Sequence, residues 1–324
     1  MRFGCTLMTE QSGPRELVAQ AAAAERAGFD FEVMSDHYFP WLQEQGYAPY
    51  AWSVLGAVTQ ATEQVELMTY VTAPIIRYHP AVVAQKAATV GLLSGDRFVL
   101  GVGSGENLNE HVVGRGWPPV NVRHEMLTEA LHIIGALFDG GHVDYAGKHY
   151  RVDSAKLWDL PSQRVPVATA VSGAQSVRRF AELSDAMIAV EPSTRLCAQW
   201  DRAAAGGAPR KIGQLPIAWA ADRDAAVERA RQQFRWFAGG WKVNSELPGP
   251  AAFAAATEFV RSADVADSIP CGPDVAPIVE AAAAFWKAGF TDLAVVQIDV
   301  DADPRGFFGF AERELLPALR EAAA

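Results

Sequence analysis

The sequence predicts a (β/α)8 TIM barrel, on three observations. Eight strand-like apolar runs alternate with amphipathic helical patterns along the chain. Parallel strands need helical crossovers, and eight of them close into a barrel with no free edge. The turn after the first run, Met8-Thr9-Glu10-Gln11-Ser12-Gly13-Pro14, is not the Gly-rich turn that opens a doubly wound sheet. The length, 324 residues, also falls in the range of roughly 200 to 400 that barrel domains occupy.

From the N-terminus, the pattern gives a strand over 2–8 and a helix over 14–27, entered through Ser12 or Gly13 with Pro14 in its first turn. A strand over 30–35, a helix over 50–61, a strand over 65–72, a helix over 80–93, a strand over 97–103 and a helix over 122–138 follow. The second half reads strand 165–171, helix 174–183, strand 186–190, helix 194–205, strand 212–220 and helix 222–236, the last capped by Asp222. A helix over 273–287 stopped by Gly289, a strand over 291–299 and a helix over 304–322 complete the repeat. Two stretches fall outside it: about 140–164, with a hairpin-like Val143 to Tyr150, and about 237–272, rich in Pro and Gly. In one barrel domain spanning 1–324 these are insertions, the second a wall or lid over the mouth.

Composition removes several function classes. With 28 Lys+Arg against 38 Asp+Glu, the net charge of −10 argues against nucleic acid as a partner. Half the residues are hydrophobic and 20% are charged, the balance of a globular chain with a large core. No signal-peptide pattern and no membrane-span run appears, so a cytoplasmic protein with no membrane partner is expected. Cys5, Cys197 and Cys271 lie far apart with no CxxC spacing and read as small core residues. The histidines show no HExxH spacing, so no metal is expected; no GxSxG elbow supports a covalent nucleophile.

Active sites of such barrels lie at the C-terminal strand ends. After the second strand, Ser35-Asp36-His37 and Trp41 place an acceptor, a group titrating near neutrality and an indole donor at the mouth; the bland alternative is a structural His in a tight turn. After the fourth, Gly101-Val102-Gly103-Ser104-Gly105-Glu106 lets backbone approach a flat or phosphorylated ligand, or is a turn with a solvated Glu. After the fifth, Ser172-Gly173-Ala174-Gln175-Ser176 opens a helix whose free N–H groups favour an anion.

Taken with Thr69-Tyr70-Val71, Arg77-Tyr78-His79-Pro80 and Asn109, these motifs resemble the luciferase-like flavin and deazaflavin oxidoreductases, from Phe3-Gly4 to Leu316-Pro317. Within them the likeness is to the branch that includes coenzyme F420-dependent glucose-6-phosphate dehydrogenase. The resemblance implies a small-molecule oxidoreductase, a homodimer, that transfers a hydride between C5 of F420 and an alcohol or carbonyl substrate. It implies that Asp36 holds the deazaflavin head and that a non-prolyl cis peptide at Tyr70–Val71, with Ala73, backs the ring. Ser104, Gly105, Asn109, Ser172, Gly173, Gln175 and Ser176 would line its phosphate and ribityl side. His37 would take the substrate hydroxyl proton, Trp41 would stabilise the developing anion, and Glu106 would be the acid near the ring. An FMN-dependent luciferase-like monooxygenase or reductase is the alternative, and a non-catalytic cofactor-binding protein is the alternative of another class.

The chain departs from that branch at the substrate. A Thr and a Lys that bind the sugar phosphate there are matched by Val190 and Ser193. No Lys occurs over 157–210, and Arg261 is the only basic residue over 243–286. A buried phosphate without cations is costly, so a neutral substrate facing Trp236, Phe237, Trp241 and Phe253 is expected rather than a sugar phosphate.

Overall fold

The structure, a computed structural model, describes residues 1–204 and 210–324. Its strands are β1 (Arg2–Leu7), β2 (Phe31–Met34), β3 (Glu66–Thr69), β4 (Phe98–Val102), β5 (Val143–Ala146), β6 (Arg151–Ala155), β7 (Val167–Ala170), β8 (Ala186–Ile188), β9 (Arg210–Ile217) and β10 (Asp292–Gln297). Eight close into a parallel barrel in the order β1-β10-β9-β8-β7-β4-β3-β2, while β5 and β6 form a separate antiparallel hairpin, as the Val143 to Tyr150 pattern predicts.

The outer layer begins with α1 (Pro14–Ala27), α2 (Ala51–Ala61), α3 (Pro80–Leu93), the short α4 (Asn107–Glu110) and α5 (Val120–Phe138). It continues through α6 (Ala174–Phe180), α7 (Thr194–Ala203), α8 (Arg223–Phe234), α9 (Trp241–Asn244), α10 (Pro250–Ala256) and α11 (Ser262–Ala266) to α12 (Val275–Ala288), α13 (Pro304–Phe310) and α14 (Leu316–Ala322). Pro14 opens α1, the Asp222 carboxylate caps α8 by accepting from Ala225 N at 2.7 Å, and Gly289 ends α12 at φ 99°. The predicted helix over 304–322 is divided by a π turn at Ala311–Leu315, and the last residue of the predicted helix over 194–205 lies outside the described residues. β9 stops short of 220: Ala218 pairs with the wall segment at Cys271, and the Gln297 side chain takes both backbone groups of Trp219.

Alternation within each strand separates two cores. Phe31, Val33, Met68, Val99, Ala168, Ile188, Ile212 and Ala294 fill the barrel, whereas Phe3, Cys5, Leu7, Leu67, Leu100 and Val295 face the helices. A third cluster sits at the mouth, where Phe253, Val265 and Ile269 of the 237–272 stretch pack on Trp41, Leu42, Val296 and Ile298. That stretch is therefore a packed wall of short helices. Because all eight barrel strands are parallel, the segments after β1, β2, β3, β4 and β7 meet at this same end.

Glu32 is the exception to the outward apolar pattern. It faces the helix layer beside Cys5, 1% exposed, and neither carboxylate oxygen has a partner. Burial, reinforced by Glu25 and opposed by Arg97, pushes its pKa well above the usual carboxylate range. The folded state therefore keeps a proton that the unfolded chain releases from about pH 4.5 upward, so Glu32 costs stability increasingly as pH rises through that window. Glu32→Gln should be more stable than the parent by about 1–3 kcal/mol at pH 8, with a smaller gain at pH 5, in urea denaturation. An equal gain at both pH values would disprove the buried proton.

Candidate active site

Asp36 follows β2 and is buried with its acceptor positions taken by the protein. Trp52 Nε1 and Thr72 Oγ1 donate to Oδ2 at 3.2 and 2.8 Å, and Arg77 Nη2 and Tyr78 OH donate to Oδ1 at 3.1 and 3.2 Å. The protein itself thus fixes this carboxylate at the mouth, where the resemblance expects the cofactor head. Four protein donors exhaust the lone-pair sites of a carboxylate, which makes Asp36 the hub on which the loops after β2 and β3 are fixed.

His37, the next residue, enters the mouth between two carboxylates. Its Nδ1 lies 3.2 Å from Glu10 Oε1 and 3.2 Å from the Phe39 carbonyl, and its Nε2 lies 3.4 Å from Glu106 Oε2. Two acceptors at Nδ1 favour a proton there, which leaves the Nε2 lone pair facing the cleft. Glu10 is itself held, its Oε2 accepting from Ser35 Oγ at 2.5 Å. Burial raises the Glu106 pKa, opposed by His37 and reinforced by Glu10, so Glu106 holds a proton at a pH where a free glutamate is ionised. The Trp41 ring lies 4.9 Å from His37 and stacks on Trp236 at 4.1 Å and 8°.

The opposite side of the mouth is formed by β3 and β4. The Tyr70–Val71 bond is cis, as the resemblance implies. A Cβ on Gly103 would lie 2.7 Å from Val71 Cγ2, and one on Gly101 would overlap the Thr69 carbonyl oxygen. These two glycines therefore admit the neighbouring strand and its bulge, a nearer reason for them than approach to a ligand. Ala73 packs against Gly105, and Ser104 stands half-buried beside them. At the α6 start, Ser176 Oγ accepts from Ser172 N and Gly173 N, both at 3.2 Å, so those amides are capped internally. Ser172 and Gln175 are exposed there, and no atom stands within 4 Å of where a Gly173 Cβ would be. A flat face at the cis bond, room in front of α6 and a donor–acceptor edge at His37 and Glu106 together fit a tricyclic cofactor with a phosphorylated tail. Asn109 is bonded to Tyr38 N, Phe39 N and Glu106.

Glu10, Arg77, Glu110 and the Asn107–Glu246 contact carry no role in the sequence reading. Glu10 had a signal: it is a polar residue directly after a barrel strand. Glu110 Oε2 accepts from Ile76 N and Arg77 N at 3.2 and 2.8 Å, tying the loop after β3 to α4. The wall is tied to α4 as well, through Asn107 N to the Ser245 carbonyl and Asn107 Nδ2 to the Glu246 carbonyl. Among the described residues no group of metal-binding side chains and no helix long and apolar enough to cross a membrane is present.

The luciferase-like monooxygenase family matches residues 1–292. An F420-dependent glucose-6-phosphate dehydrogenase of Nakamurella multipartita is 43% identical over 188 residues, a stretch covering 58% of this chain and 56% of that protein. One from Beutenbergia cavernae is 33% identical over 335 residues, covering 99% of this chain and 98% of that protein. Among solved structures, an F420-dependent secondary alcohol dehydrogenase in complex with an F420–acetone adduct aligns over 98% of this chain and 99% of its own, with TM-score 0.88 and 26% identity. The expectation of a substrate that is not a sugar phosphate is not borne out by the names of these relatives. It rested on two windows of sequence, and Lys242, one residue outside the second, stands exposed on α9 of the wall. Ser193, one of the two departing positions, caps α7, accepting from Leu196 N at 3.3 Å.

Asp36→Ala would leave Trp52, Thr72 and Tyr78 without their buried acceptor and Arg77 with only Glu110, at 3.5 Å, as a carboxylate partner. The unliganded protein should lose about 3–5 kcal/mol in urea denaturation. A side chain whose only partner is a ligand would leave that measurement within about 0.5 kcal/mol of the parent.

Proposed function

The chain belongs to the luciferase-like monooxygenase family, and we propose that it is an F420-dependent oxidoreductase acting on an alcohol or carbonyl carbon. The observation that carries this reading is His37, anchored at Nδ1 by Glu10 and presenting Nε2 to the cleft beside Glu106. Bound coenzyme F420 supplies a hydride acceptor or donor at C5. The cis Tyr70–Val71 bulge and Ala73 would back its ring, with Ser104, Gly105, Ser172, Gly173 and Gln175 along its tail.

Hydride leaves a carbinol carbon readily only as its hydroxyl proton departs, so a fixed imidazole lone pair is the base such a step needs. His37 Nε2 takes that proton, and in the reverse direction returns it. Glu10 stabilises the imidazolium so formed, through the 3.2 Å contact at Nδ1. Trp41 holds the other face of the cleft, its ring 4.9 Å from His37, where its indole meets charge developing on the substrate oxygen. Glu106, whose pKa burial raises, gives a proton to charge that builds beside it. Exposed Val82, Leu92 and Leu93 on α3 support a homodimer as the working form, which we place in the cytoplasm; light scattering that returned a monomer would remove that assembly.

The first test is a fluorescence titration with F420 and, in parallel, FMN, followed by turnover of glucose 6-phosphate and of a secondary alcohol. F420 binding at about micromolar Kd or tighter, with FMN weaker, is expected; the reverse preference assigns the chain to flavin chemistry, and binding of neither refutes the reading. His37→Ala should lower kcat by about 10²- to 10⁴-fold while F420 affinity holds within about threefold. Turnover unchanged in that variant would remove His37 as the base. Activity should fall as pH rises and Glu106 loses its proton; Glu106→Gln, which has no proton to give, should lower kcat by about 10²-fold or more at every pH.

A further inference from the structure

The two carboxyl oxygens of buried Glu10 have different partners. Oε1 lies 3.2 Å from His37 Nδ1, while Oε2 accepts from Ser35 Oγ at 2.5 Å. Ser35 Oγ in turn accepts from Thr9 N at 3.0 Å, and Thr9 Oγ1 stands 3.0 Å from that hydroxyl and 3.2 Å from the Ser35 carbonyl. The Thr9 amide can only donate, so it takes a lone pair of Ser35 Oγ and leaves the hydroxyl proton for Glu10. Thr9 and Glu10 follow β1, and Ser35 follows β2, its neighbour in the barrel. The far oxygen of the acid is therefore tied to the same short segment that carries His37.

We infer that Ser35, with its hydroxyl oriented by Thr9, is a positioning residue: by occupying Glu10 Oε2 it turns Oε1 to His37 Nδ1 and holds the imidazole in the tautomer whose Nε2 lone pair faces the cleft. The inference rests on the roles given to His37 and Glu10 above. The terminal torsion of a glutamate is soft and roughly two-fold, so nothing within Glu10 itself selects which oxygen meets the ring. A hydroxyl bonded to one oxygen makes that selection. Among the described residues the Ser35 and Thr9 hydroxyls bond only to each other, to Glu10 and to the Ser35 carbonyl. That buried chain ends on backbone, which suits it to orienting a carboxylate and gives it no route for carrying a proton out. Proton transfer at Nε2 is sensitive to misplacement by about an ångström, which an unanchored Glu10 would allow.

Ser35→Ala removes the anchor and keeps the acid. It should lower kcat by about tenfold or more with the F420 Kd within about threefold. In the protein without cofactor, 15N NMR of the neutral His37 ring should show a larger share of the Nε2-protonated tautomer than in the parent. Because Ser35 acts through Glu10, adding Ser35→Ala to Glu10→Ala should change kcat by less than about twofold. Ser35→Thr, which keeps a hydroxyl, should restore turnover to within about threefold of the parent. Thr9→Val removes only the hydroxyl that orients Ser35; it should shift the tautomers in the same direction by less, and it gives a second reading if Ser35→Ala does not fold. Losses that multiply in the double variant, or a tautomer ratio equal to the parent's, would make Ser35 a mere link between two loops and overturn the inference. F420 affinity weakened tenfold with kcat unchanged at saturating cofactor would overturn it as well. If the parent neither binds F420 nor turns over, the proposed function fails, while the tautomer ratio in the cofactor-free protein still decides the role of Ser35.

Discussion

A carboxylate removed from water at the end of β2 costs several kcal/mol unless strong partners meet it, and the mouth of this barrel is organised around meeting that cost at Asp36. Arg77 is the main partner, and it also donates to the Asp36 carbonyl at 2.7 Å and lies 3.5 Å from Glu110. Tyr78 serves twice: its hydroxyl donates to Asp36 while its ring lies 3.4 Å from Lys86 Nζ. Burial pushes the Lys86 pKa down to about 8, with Asp36 opposing the shift. Residues from the loops after β2, β3 and β4 thus share one charge-compensated cluster, and none of the three can move alone.

That coupling explains why reactive groups from separate loops keep their spacing. His37 inherits its place from Asp36 on one side and from the Asn109 anchor on the other. Glu10, from the loop after β1, then adds a negative group at Nδ1. Two carboxyls around one imidazole would repel if both were ionised. Burial eases this by raising the pKa of Glu106, the member beside His37 Nε2. A carboxyl with a raised pKa beside an imidazole is the pairing of donor and base that the proposed reaction needs.

The barrel was legible because its signal is repeated. Eight apolar runs with helical crossovers leave few alternatives, and Asp222 and Gly289 mark helix ends by mechanisms that act locally. Placing His37, Trp41 and Glu106 together followed from the parallel strands alone. The cis bond at Tyr70–Val71 came only from resemblance, since nothing in residue spacing encodes it. What the sequence could not convey depends on contacts between distant segments. Gly101 and Gly103 yield to Thr69 and Val71 across the sheet, Ser176 consumes the amides that a bare helix start would offer, and Asp36 spends its lone pairs inward. Glu10 resembles any solvated loop acid until folding brings it against a histidine 27 positions away.

Trp41 joins the chemistry to the wall. One face of its neighbourhood is His37, and the other is Trp236, with Phe253 set edge-on at 5.1 Å. Trp236 continues into Phe234 at 4.6 Å, so the aromatic stack reaches from His37 back to the end of α8. Close-packed aromatic contacts resist changes of volume. A substitution that enlarged the pocket at Trp236 would loosen Trp41 and hence the cleft beside His37. In the proposed reaction, substrate range along this side of the mouth is therefore coupled to turnover. The exposed Val190, beyond β8, takes no part in the aromatic stack, and there the mouth can vary without disturbing the groups proposed to move the proton.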